Sequence, residues 1–242
     1  MSTQSEQPTV RKVFTNRHGG FSADQYSSFN LGDHVKDDPR AVAQNRERLA
    51  DIIGLPAERV VYMEQIHSAN VTEVTADMVG AGPIEATDAL VTTVPGVALA
   101  VLTADCVPLL LSDESAGVIA AVHAGRMGAR NGVVRRTIAR MEELGAIPAQ
   151  IHALMGAAAS GANYEVPDSM AADVESKLPG SRTTTAQGTS GVDIRAGLTR
   201  QLLGLGVRMI DADPRCTVED KNFFSYRREG MTGRQAGIIW MP

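Results

Sequence analysis

Apolar residues cluster in short runs through the middle of the chain. Four runs of β-branched and aliphatic residues are separated by turn-forming Gly, Pro and Asp residues, and such runs predict strands. The predicted strands cover residues 89–93, 97–103, 107–111 and 117–123. A further strand is predicted over residues 60–67, where alternation places Gln65 and His67 on one face.

Apolar residues at helical spacing predict four helices around these strands. The first begins at Asp38, a favourable capping residue followed by Pro39, and ends at Gly54. The other three are marked by apolar residues three or four positions apart. Their markers are Val134, Ile138, Met141 and Leu144; Met170, Val174 and Leu178; and Ile194, Leu198, Leu202 and Leu205.

The remaining segments complete the predicted organisation. Residues 1–10 are expected to form a disordered tail, and residues 181–191 a loop rich in Thr, Ser and Gly. Residues 222–241 are predicted to form two strands around a Gly-Met-Thr-Gly turn. Neither a repeat nor a linker divides the rest, so residues 11–242 are predicted to form a single mixed α/β domain.

Composition narrows the class of protein. Of the 242 residues, 43% are hydrophobic and 21% charged, as in ordinary globular proteins. The net charge of −5 and the lack of a basic run argue against nucleic-acid binding. The apolar runs are too short to span a bilayer, and the polar N-terminus lacks a signal-peptide pattern. We therefore expect a cytoplasmic protein without membrane or nucleic-acid partners, and its two cysteines to be thiols.

Three residues are candidate metal ligands. His67 and His123 end predicted strands, and Cys106 lies in the tight connection between two others. Zinc prefers Cys and His ligands, and three of them leave a fourth position open for water or substrate. Their spacing matches no short zinc-binding motif, so a buried thiol with two hydrogen-bonded histidines is the competing interpretation.

Cys106 could instead be a nucleophile with His123 as its base, which requires a lowered thiol pKa. We expect the neighbouring Asp105 to raise that pKa, and to suit the surroundings of a metal better. The zinc nucleobase deaminases are excluded, because their His-x-Glu and Pro-Cys-x-x-Cys motifs are missing.

Several segments, in their order along the chain, resemble one known family. Its members are variously called laccase-domain or multicopper polyphenol oxidase proteins, purine nucleoside phosphorylases and peptidoglycan editing factors. The resemblance runs from about Arg11 to Trp240. The matching segments are Arg17-His18-Gly19-Gly20, Asn30-Leu31-Gly32-Asp33-His34-Val35, Asp37-Asp38-Pro39, Gln65-Ile66-His67-Ser68, Asp88-Ala89-Leu90-Val91-Thr92, Thr103-Ala104-Asp105-Cys106-Val107-Pro108, Val122-His123-Ala124-Gly125, Tyr164-Glu165-Val166 and Phe224-Ser225-Tyr226-Arg227-Arg228.

The resemblance implies one zinc ion per chain and phosphorolysis of adenosine, inosine, guanosine and methylthioadenosine, with adenosine deamination as a second activity. It also implies an α+β fold, a mixed β-sandwich flanked by helices, similar to a toxin catalytic domain that uses Cys and His. The implied metal ligands are His67, Cys106 and His123; the catalytic residues are Cys106, His123 and Asp105; and the substrate-binding residues are Arg17, Asn30 and Arg227.

Alternative functions remain open at this point. The family's third name implies a cytoplasmic hydrolase that edits misassembled peptidoglycan precursors, and the toxin-like fold implies a metal-free Cys–His hydrolase. A zinc-stabilised binding protein is disfavoured by the open fourth position. The sequence is compatible with a monomer or a homodimer.

Two departures from the family pattern bear on substrate preference. Arg126-Met127-Gly128 stands where Trp-Arg-Gly is common, and Ala162-Asn163 where a Cys-Cys pair is common. Copper oxidase chemistry is rejected, because a multicopper cluster needs many His and Cys ligands. Beyond the proposed zinc site the chain has only His18, His34, His152 and Cys216.

Overall fold

A computed structural model describes residues 9–242, in which twelve strands and six α-helices are found. The strands are Arg11–Phe14 (β1), Val60–Val61 (β2), Val71–Glu73 (β3), Ala89–Thr92 (β4), Ala98–Thr103 (β5), Val107–Asp113 (β6), Val118–Ala124 (β7), His152–Met155 (β8), Arg182–Thr184 (β9), Ser190–Val192 (β10), Met209–Ala212 (β11) and Gln235–Trp240 (β12). The helices are Pro39–Ile53 (α1), Arg126–Arg130 (α2), Val133–Glu143 (α3), Asp168–Lys177 (α4), Ile194–Gly204 (α5) and Tyr226–Glu229 (α6).

Two mixed sheets pack face to face. One has the strand order β1-β12-β5-β2 and the other β11-β8-β6-β7-β4-β3. Alternation along β5 sends Leu99 and Val101 into the space between the sheets, where they join Leu110 and Ile119 of the second sheet. The resulting core makes the two sheets a β-sandwich.

Helices cover the outer faces of both sheets. On the first sheet, Leu49 of α1 belongs to the same hydrophobic core as Ala100 of β5. On the second, Leu109 of β6 belongs to a core that includes Ile138 of α3 and Leu198 of α5. Because both faces of the central strands are buried, these strands are apolar over most of their length, and their polar residues lie near the strand ends. The predicted single α+β domain, a mixed sandwich flanked by helices, is confirmed.

The first helix follows the predicted capping pattern. The Asp38 side chain accepts a hydrogen bond from the backbone N–H of Arg40 at 2.9 Å. Gly54 ends the helix in the left-handed region with φ of 73°. This conformation costs a glycine little, and the predicted beginning and end of the helix are both confirmed.

The predicted strand over residues 60–67 is wrong beyond β2. A side chain replaces the backbone there: Gln65 donates from Nε2 to the carbonyl of Leu102 at 2.7 Å, and its Oε1 accepts from the N–H of Leu102 at 2.8 Å. The chain can therefore leave the sheet while β5 keeps its hydrogen bonds. His67 consequently lies in a loop, with φ of 59°.

Two C-terminal predictions also need correction. Residues 181–191 form a hairpin of β9 and β10, in which Thr183 pairs with Gly191. Residues 222–241 contain the short helix α6 and a single strand, β12. The second expected strand is absent from this segment, because the side chain of Gln235 bonds both the N–H and the C=O of Phe224.

The N-terminal prediction is only partly addressed. Residues 1–8 of the expected tail lie outside the described residues. Val10 packs against the core between the sheets. In the described part of the chain, no helix combines the length and apolar character needed to cross a membrane, since the longest, α1, has 15 residues.

Candidate metal site and substrate cleft

The three predicted metal ligands meet at one end of the sandwich. His123 is the penultimate residue of β7, Cys106 lies between β5 and β6, and His67 lies in the loop before β3. One ligand atom from each residue falls within 4.8 Å of the others. Sγ of Cys106 lies 3.9 Å from Nε2 of His67, close to the roughly 3.6 Å expected for tetrahedral zinc. The group can hold a metal ion.

Asp88 organises two of these ligands from beneath. Its carboxylate is fully buried and lies 2.8 Å from Nδ1 of His123. It also accepts from the N–H of His67 at 3.0 Å and of Ser68 at 2.6 Å. The first contact directs Nε2 of His123 towards the site, and the others hold the loop that presents His67. Asp88 therefore supports the ligands as carboxylates commonly do behind metal-bound histidines.

The surroundings of Cys106 favour the deprotonated thiolate form of its side chain. Burial raises the pKa of Cys106, but the charge and hydrogen bonds of His123, together with those of His67, outweigh it and bring the pKa to about 6. Burial lowers the pKa of His123, while Cys106 and Asp88 raise it to about 9. A thiolate can ligate a metal or act as a nucleophile, so this electrostatic arrangement is compatible with both kinds of chemistry.

The net shift of the Cys106 pKa is downward, opposite to the direction expected from Asp105, because the contributions of His123 and His67 outweigh the others. Oδ1 of Asp105 accepts from the hydroxyl of Thr217 at 2.6 Å, and its Oδ2 accepts from the N–H of Arg227 at 2.7 Å. The carboxylate thus joins the β5–β6 connection to α6, and the pKa of Cys106 is set by the two histidines. Asp105 does line the cleft above the ligands.

Gly125 is required by the close packing of this site. A Cβ at this position would lie 3.0 Å from Sγ of Cys106 and 3.0 Å from Cδ2 of His67. A side chain here would displace one ligand or the other. The closeness of Cys106 and His67 to this position gives a physical reason for glycine in the His-Ala-Gly segment.

A cleft of about 610 Å³ opens above the three ligands. Tyr164 and Tyr226 contribute aromatic surface to its walls, and Arg227 and Arg234 contribute positive charge. The lining residues are His34, Gln65, His67, Leu102, Thr103, Ala104, Asp105, Cys106, His123, Tyr164, Tyr226, Arg227 and Arg234. The volume suits a small organic substrate.

The predicted substrate residues separate into two groups. Arg227 lines the cleft, where its guanidinium stacks 4.4 Å from the ring centroid of Tyr164. Arg17 and Asn30 are not lining residues. Arg17 pairs with Glu229 at 2.8 Å, and the buried Asn30 is hydrogen-bonded within the protein. The N-terminal loop and the C-terminal segment do meet, but these two side chains face protein groups.

Sequence reasoning gave no role to Asp88, Tyr164 or Arg234. Asp88 and Tyr164 lie within segments quoted for the family resemblance, so the signal was present but unassigned. Arg234 lies after Gly233 in a segment expected to be a strand, and no local pattern marks it. In the folded structure Arg234 directly precedes β12, and its N–H donates to Oδ1 of Asn30. Only this contact shows that Arg234 lies beside the loop that contains Asn30.

The remaining histidines and the second cysteine are dispersed. His18 contacts Asn222 at 2.8 Å, and His152 contacts Lys12 at 2.9 Å. Cys216 accepts from the N–H of Ser160 at 3.3 Å. Within residues 9–242, the only group of three or more Cys, His or acidic residues placed to hold a metal is the one already described.

The fold and site define a single-domain α+β protein with a His–Cys–His group at the end of a β-sandwich. The family described as multi-copper polyphenol oxidoreductase laccase matches residues 11–242, and the chain belongs to that family.

Several relatives cover nearly the whole chain. A protein of Corynebacterium glutamicum named purine nucleoside phosphorylase is 71% identical over 96% of this chain and 95% of its own length. A protein of Mycobacterium tuberculosis with the same name is 57% identical over 96% of this chain and 92% of its own. These similarities confirm the resemblance found in the sequence.

Solved structures show the same fold. The hypothetical protein YfiH of Bacillus licheniformis superimposes with a TM-score of 0.91 at 29% identity, covering 98% of this chain and 94% of its own. YlmD of Geobacillus stearothermophilus gives a TM-score of 0.91 at 33% identity, with coverage of 96% and 92%.

Proposed function

We propose that this protein is a zinc-dependent purine nucleoside phosphorylase with one zinc ion per chain. The observation that carries the proposal is the three-ligand site beneath a cleft whose walls combine aromatic and guanidinium groups. Relatives with 71% and 57% identity over nearly the whole chain are named purine nucleoside phosphorylase, which supports the proposed activity.

The donor set fits zinc. One thiolate and two imidazoles are the ligands that zinc shares between its structural and catalytic sites, and three of them leave a position open. A multicopper oxidase would need further ligands in reach, whereas the other histidines in the described residues are dispersed and bonded elsewhere. When bound, the zinc ion would supply a Lewis acid at the base of the cleft.

Phosphorolysis exchanges one bond for another. The bond from the purine nitrogen to C1′ of ribose breaks, a phosphate oxygen bonds to C1′, and the purine leaves with the electron pair and takes up a proton. Tyr164 and Arg227 form a stacked aromatic and guanidinium pair. Such a pair offers a flat surface to a purine ring, and the forked guanidinium of Arg227 can also bind phosphate.

The proposed substrates are adenosine, inosine, guanosine and methylthioadenosine, and adenosine deamination is proposed as a second activity. The activities have separate products. Phosphorolysis of inosine requires phosphate and yields hypoxanthine and ribose 1-phosphate, whereas deamination converts adenosine to inosine without phosphate. A Cys–His hydrolase acting on inosine would release free ribose.

The test incubates metal-analysed protein with inosine, with and without phosphate, and separates the products by chromatography. We expect about one zinc per chain and phosphate-dependent formation of hypoxanthine and ribose 1-phosphate. Cys106→Ala should lose zinc and activity, while Cys216→Ala, which alters the other cysteine, should retain both. Phosphate-independent cleavage, several coppers per chain, or zinc retained by a Cys106→Ala/His123→Ala double variant would overturn the proposal.

Arg227 provides a narrower test. If it contacts phosphate, Arg227→Ala should raise the KM for phosphate by roughly tenfold to a hundredfold, and the KM for inosine much less. The exposed Arg59, which donates only to a backbone carbonyl, gives the control variant Arg59→Ala. Equal increases in both constants would instead indicate that the Arg227 side chain supports the cleft through its contacts with the Tyr164 ring and the carbonyl of Glu165.

A further inference from the structure

The guanidinium of Arg234 has different partners from that of the predicted substrate residue Arg17. Arg234 lines the main cleft, and its Nη1 donates to the backbone carbonyls of Thr232 at 2.9 Å and Gly233 at 2.8 Å. In the described part of the chain its guanidinium forms no ion pair with a carboxylate. By contrast, Arg17 and Arg46 are paired with Glu229 and Asp33. A half-buried cation that lacks a carboxylate partner favours an anionic ligand.

The surroundings of Arg234 are positively charged on one side. A side pocket of about 260 Å³ adjoins the main cleft, with Arg234, His34 and Tyr226 lining both. Lys36 also lines the side pocket. The nearest carboxylate to His34 is Asp33, at 3.5 Å, which Arg46 also holds at 3.1 Å.

Negatively charged groups also act on the guanidinium of Arg234. Burial lowers the pKa of Arg234, while Cys106 and Asp105 counteract this effect. Asp105 is already bonded to Thr217 and to the backbone of Arg227. The free donors of Arg234 are therefore available at the junction between the main cleft and the side pocket.

Asn30 holds Arg234 in place. Its Oδ1 accepts from the N–H of Arg234 at 2.8 Å and from the N–H of Gly32 at 2.9 Å. Its Nδ2 donates to the carbonyl of Gly32 at 3.1 Å and to Asp37 at 2.8 Å. All four hydrogen-bonding positions of the amide are thus used within the protein, so none is left for a substrate.

The same loop also packs against the stem of Arg234. A Cβ added to Gly32 would lie only 2.7 Å from Cγ of Arg234. The N–H of Leu31 donates to the carbonyl of Arg234 at 3.1 Å. The Asn-Leu-Gly segment therefore fixes both the backbone and the side chain of Arg234.

We propose that Arg234 binds phosphate dianion at the junction of the main cleft and the side pocket, and that Asn30 is its positioning residue. The assignment rests on the proposed function for the role of phosphate as a substrate. It reassigns Asn30 from substrate contact to support of the contacting residue. Arg227 remains at the rim of the cleft, where its stack on Tyr164 suits it to the purine as well as to phosphate.

Direct binding tests the assignment without catalysis. Zinc-loaded protein is titrated calorimetrically with inorganic phosphate in the absence of nucleoside. Arg234→Gln should weaken binding by at least about tenfold, because a charge-assisted contact is lost. Arg234→Lys should keep part of the affinity, and Arg59→Gln should match the parent protein. Unchanged phosphate binding by Arg234→Gln would overturn the proposal.

Folding and zinc content are checked by circular dichroism and elemental analysis. If Arg234→Gln fails to fold, Arg234→Lys decides the point, because loss of the forked donor should still raise the phosphate Kd severalfold. An Arg234→Lys protein with full zinc and parental phosphate affinity would count against the assignment.

The role of Asn30 is tested by a double-variant cycle. Asn30→Ala should weaken phosphate binding at constant zinc content, and adding it to Arg234→Gln should cause no further loss. Independent, additive losses would refute positioning through Arg234. Inosine 5′-monophosphate tests whether a nucleotide supplies the phosphate group. If it binds through Arg234 and inorganic phosphate does not, the assignment to free phosphate fails.

These outcomes are distinguishable from failure of the proposed function. If Arg234 binds phosphate but inosine is not cleaved, the anion site stands and the phosphorolysis proposal fails. If inosine is phosphorolysed and Arg234→Gln leaves the KM for phosphate unchanged, the enzyme assignment stands and the anion site fails.

Discussion

The substitution Asp88→Asn should weaken zinc binding, although all three proposed ligands, His67, Cys106 and His123, are retained. Five hydrogen bonds converge on the Asp88 carboxylate: from Nδ1 of His123, from the N–H groups of Ile66, His67 and Ser68, and from the hydroxyl of Ser68. Burial raises the pKa of Asp88, but these contacts outweigh it and hold the pKa below its usual value. The carboxylate is therefore charged in the folded protein at neutral pH.

The magnitude follows from what the amide cannot do. Asn has nearly the same shape, but its Nδ2 would meet N–H donors that now face Oδ1, namely those of His123 and His67. Hydrogen bonds to a charged group contribute about 1.5–3 kcal/mol each. Loss of a carboxylate behind a metal-bound histidine typically reduces affinity by about ten- to a hundredfold, or roughly 1.4–2.7 kcal/mol. We expect a decrease in zinc affinity within that range.

Asp113 provides a matched control. It is also fully buried, and it accepts from Ser115 at 2.6 Å and from the N–H of Ile147 at 2.8 Å. It ends β6, whereas Cys106 directly precedes that strand. Asp113→Asn should therefore destabilise the protein comparably while leaving the metal ligands untouched.

The assay is competition for zinc against a chromophoric chelator, with urea unfolding of the metal-free proteins measured in parallel. Asp88→Asn should bind zinc about ten- to a hundredfold more weakly than the parent, and Asp113→Asn within about twofold of it. Parental zinc affinity in Asp88→Asn would refute the supporting role of Asp88. An equal loss in both variants would show that general destabilisation, rather than ligand orientation, controls affinity.

Two further predictions concern residues of different character. If Cys106 is a zinc thiolate, zinc-loaded protein should resist alkylation at Cys106 and chelation should expose it, as peptide mass spectrometry would show; a covalent substrate adduct on Cys106 would contradict this role. Burial lowers the pKa of Lys12 from 10.5 to about 8, against the opposing charges of Glu114 and Asp211. The unfolded state then binds more protons between these pH values, so stability should gain up to roughly 3 kcal/mol from this group as pH rises through the window. Urea unfolding of Lys12→Met should lack that gain, and parallel pH profiles for the two proteins would refute it.

The central secondary structure could be predicted because local signals agree with the tertiary environment. The apolar runs of β4 to β7 are buried on both faces, and the capping residues of α1 act locally through Asp38 and Gly54. The strand predictions fail where a side chain forms the hydrogen bonds that the backbone of a neighbouring strand would otherwise form. Gln65 and Gln235 each make two hydrogen bonds with another segment's backbone, and local alternation contains no sign of such contacts.

For the candidate metal site, the sequence predicts the residue types, whereas the geometry that brings them together cannot be predicted from it. Cys and His in family-like segments predict this group of candidate ligands, but the prediction that His67 ends a strand is wrong. His67 reaches the site from a loop in the left-handed region, and this conformation is held by the contact from its N–H to Asp88. Since Asp88 also binds His123, one buried carboxylate fixes two candidate ligands that lie far apart in sequence. Such a shared partner follows from the packing of the loop against β4 and β7, so only the folded structure could show why these residues form a site.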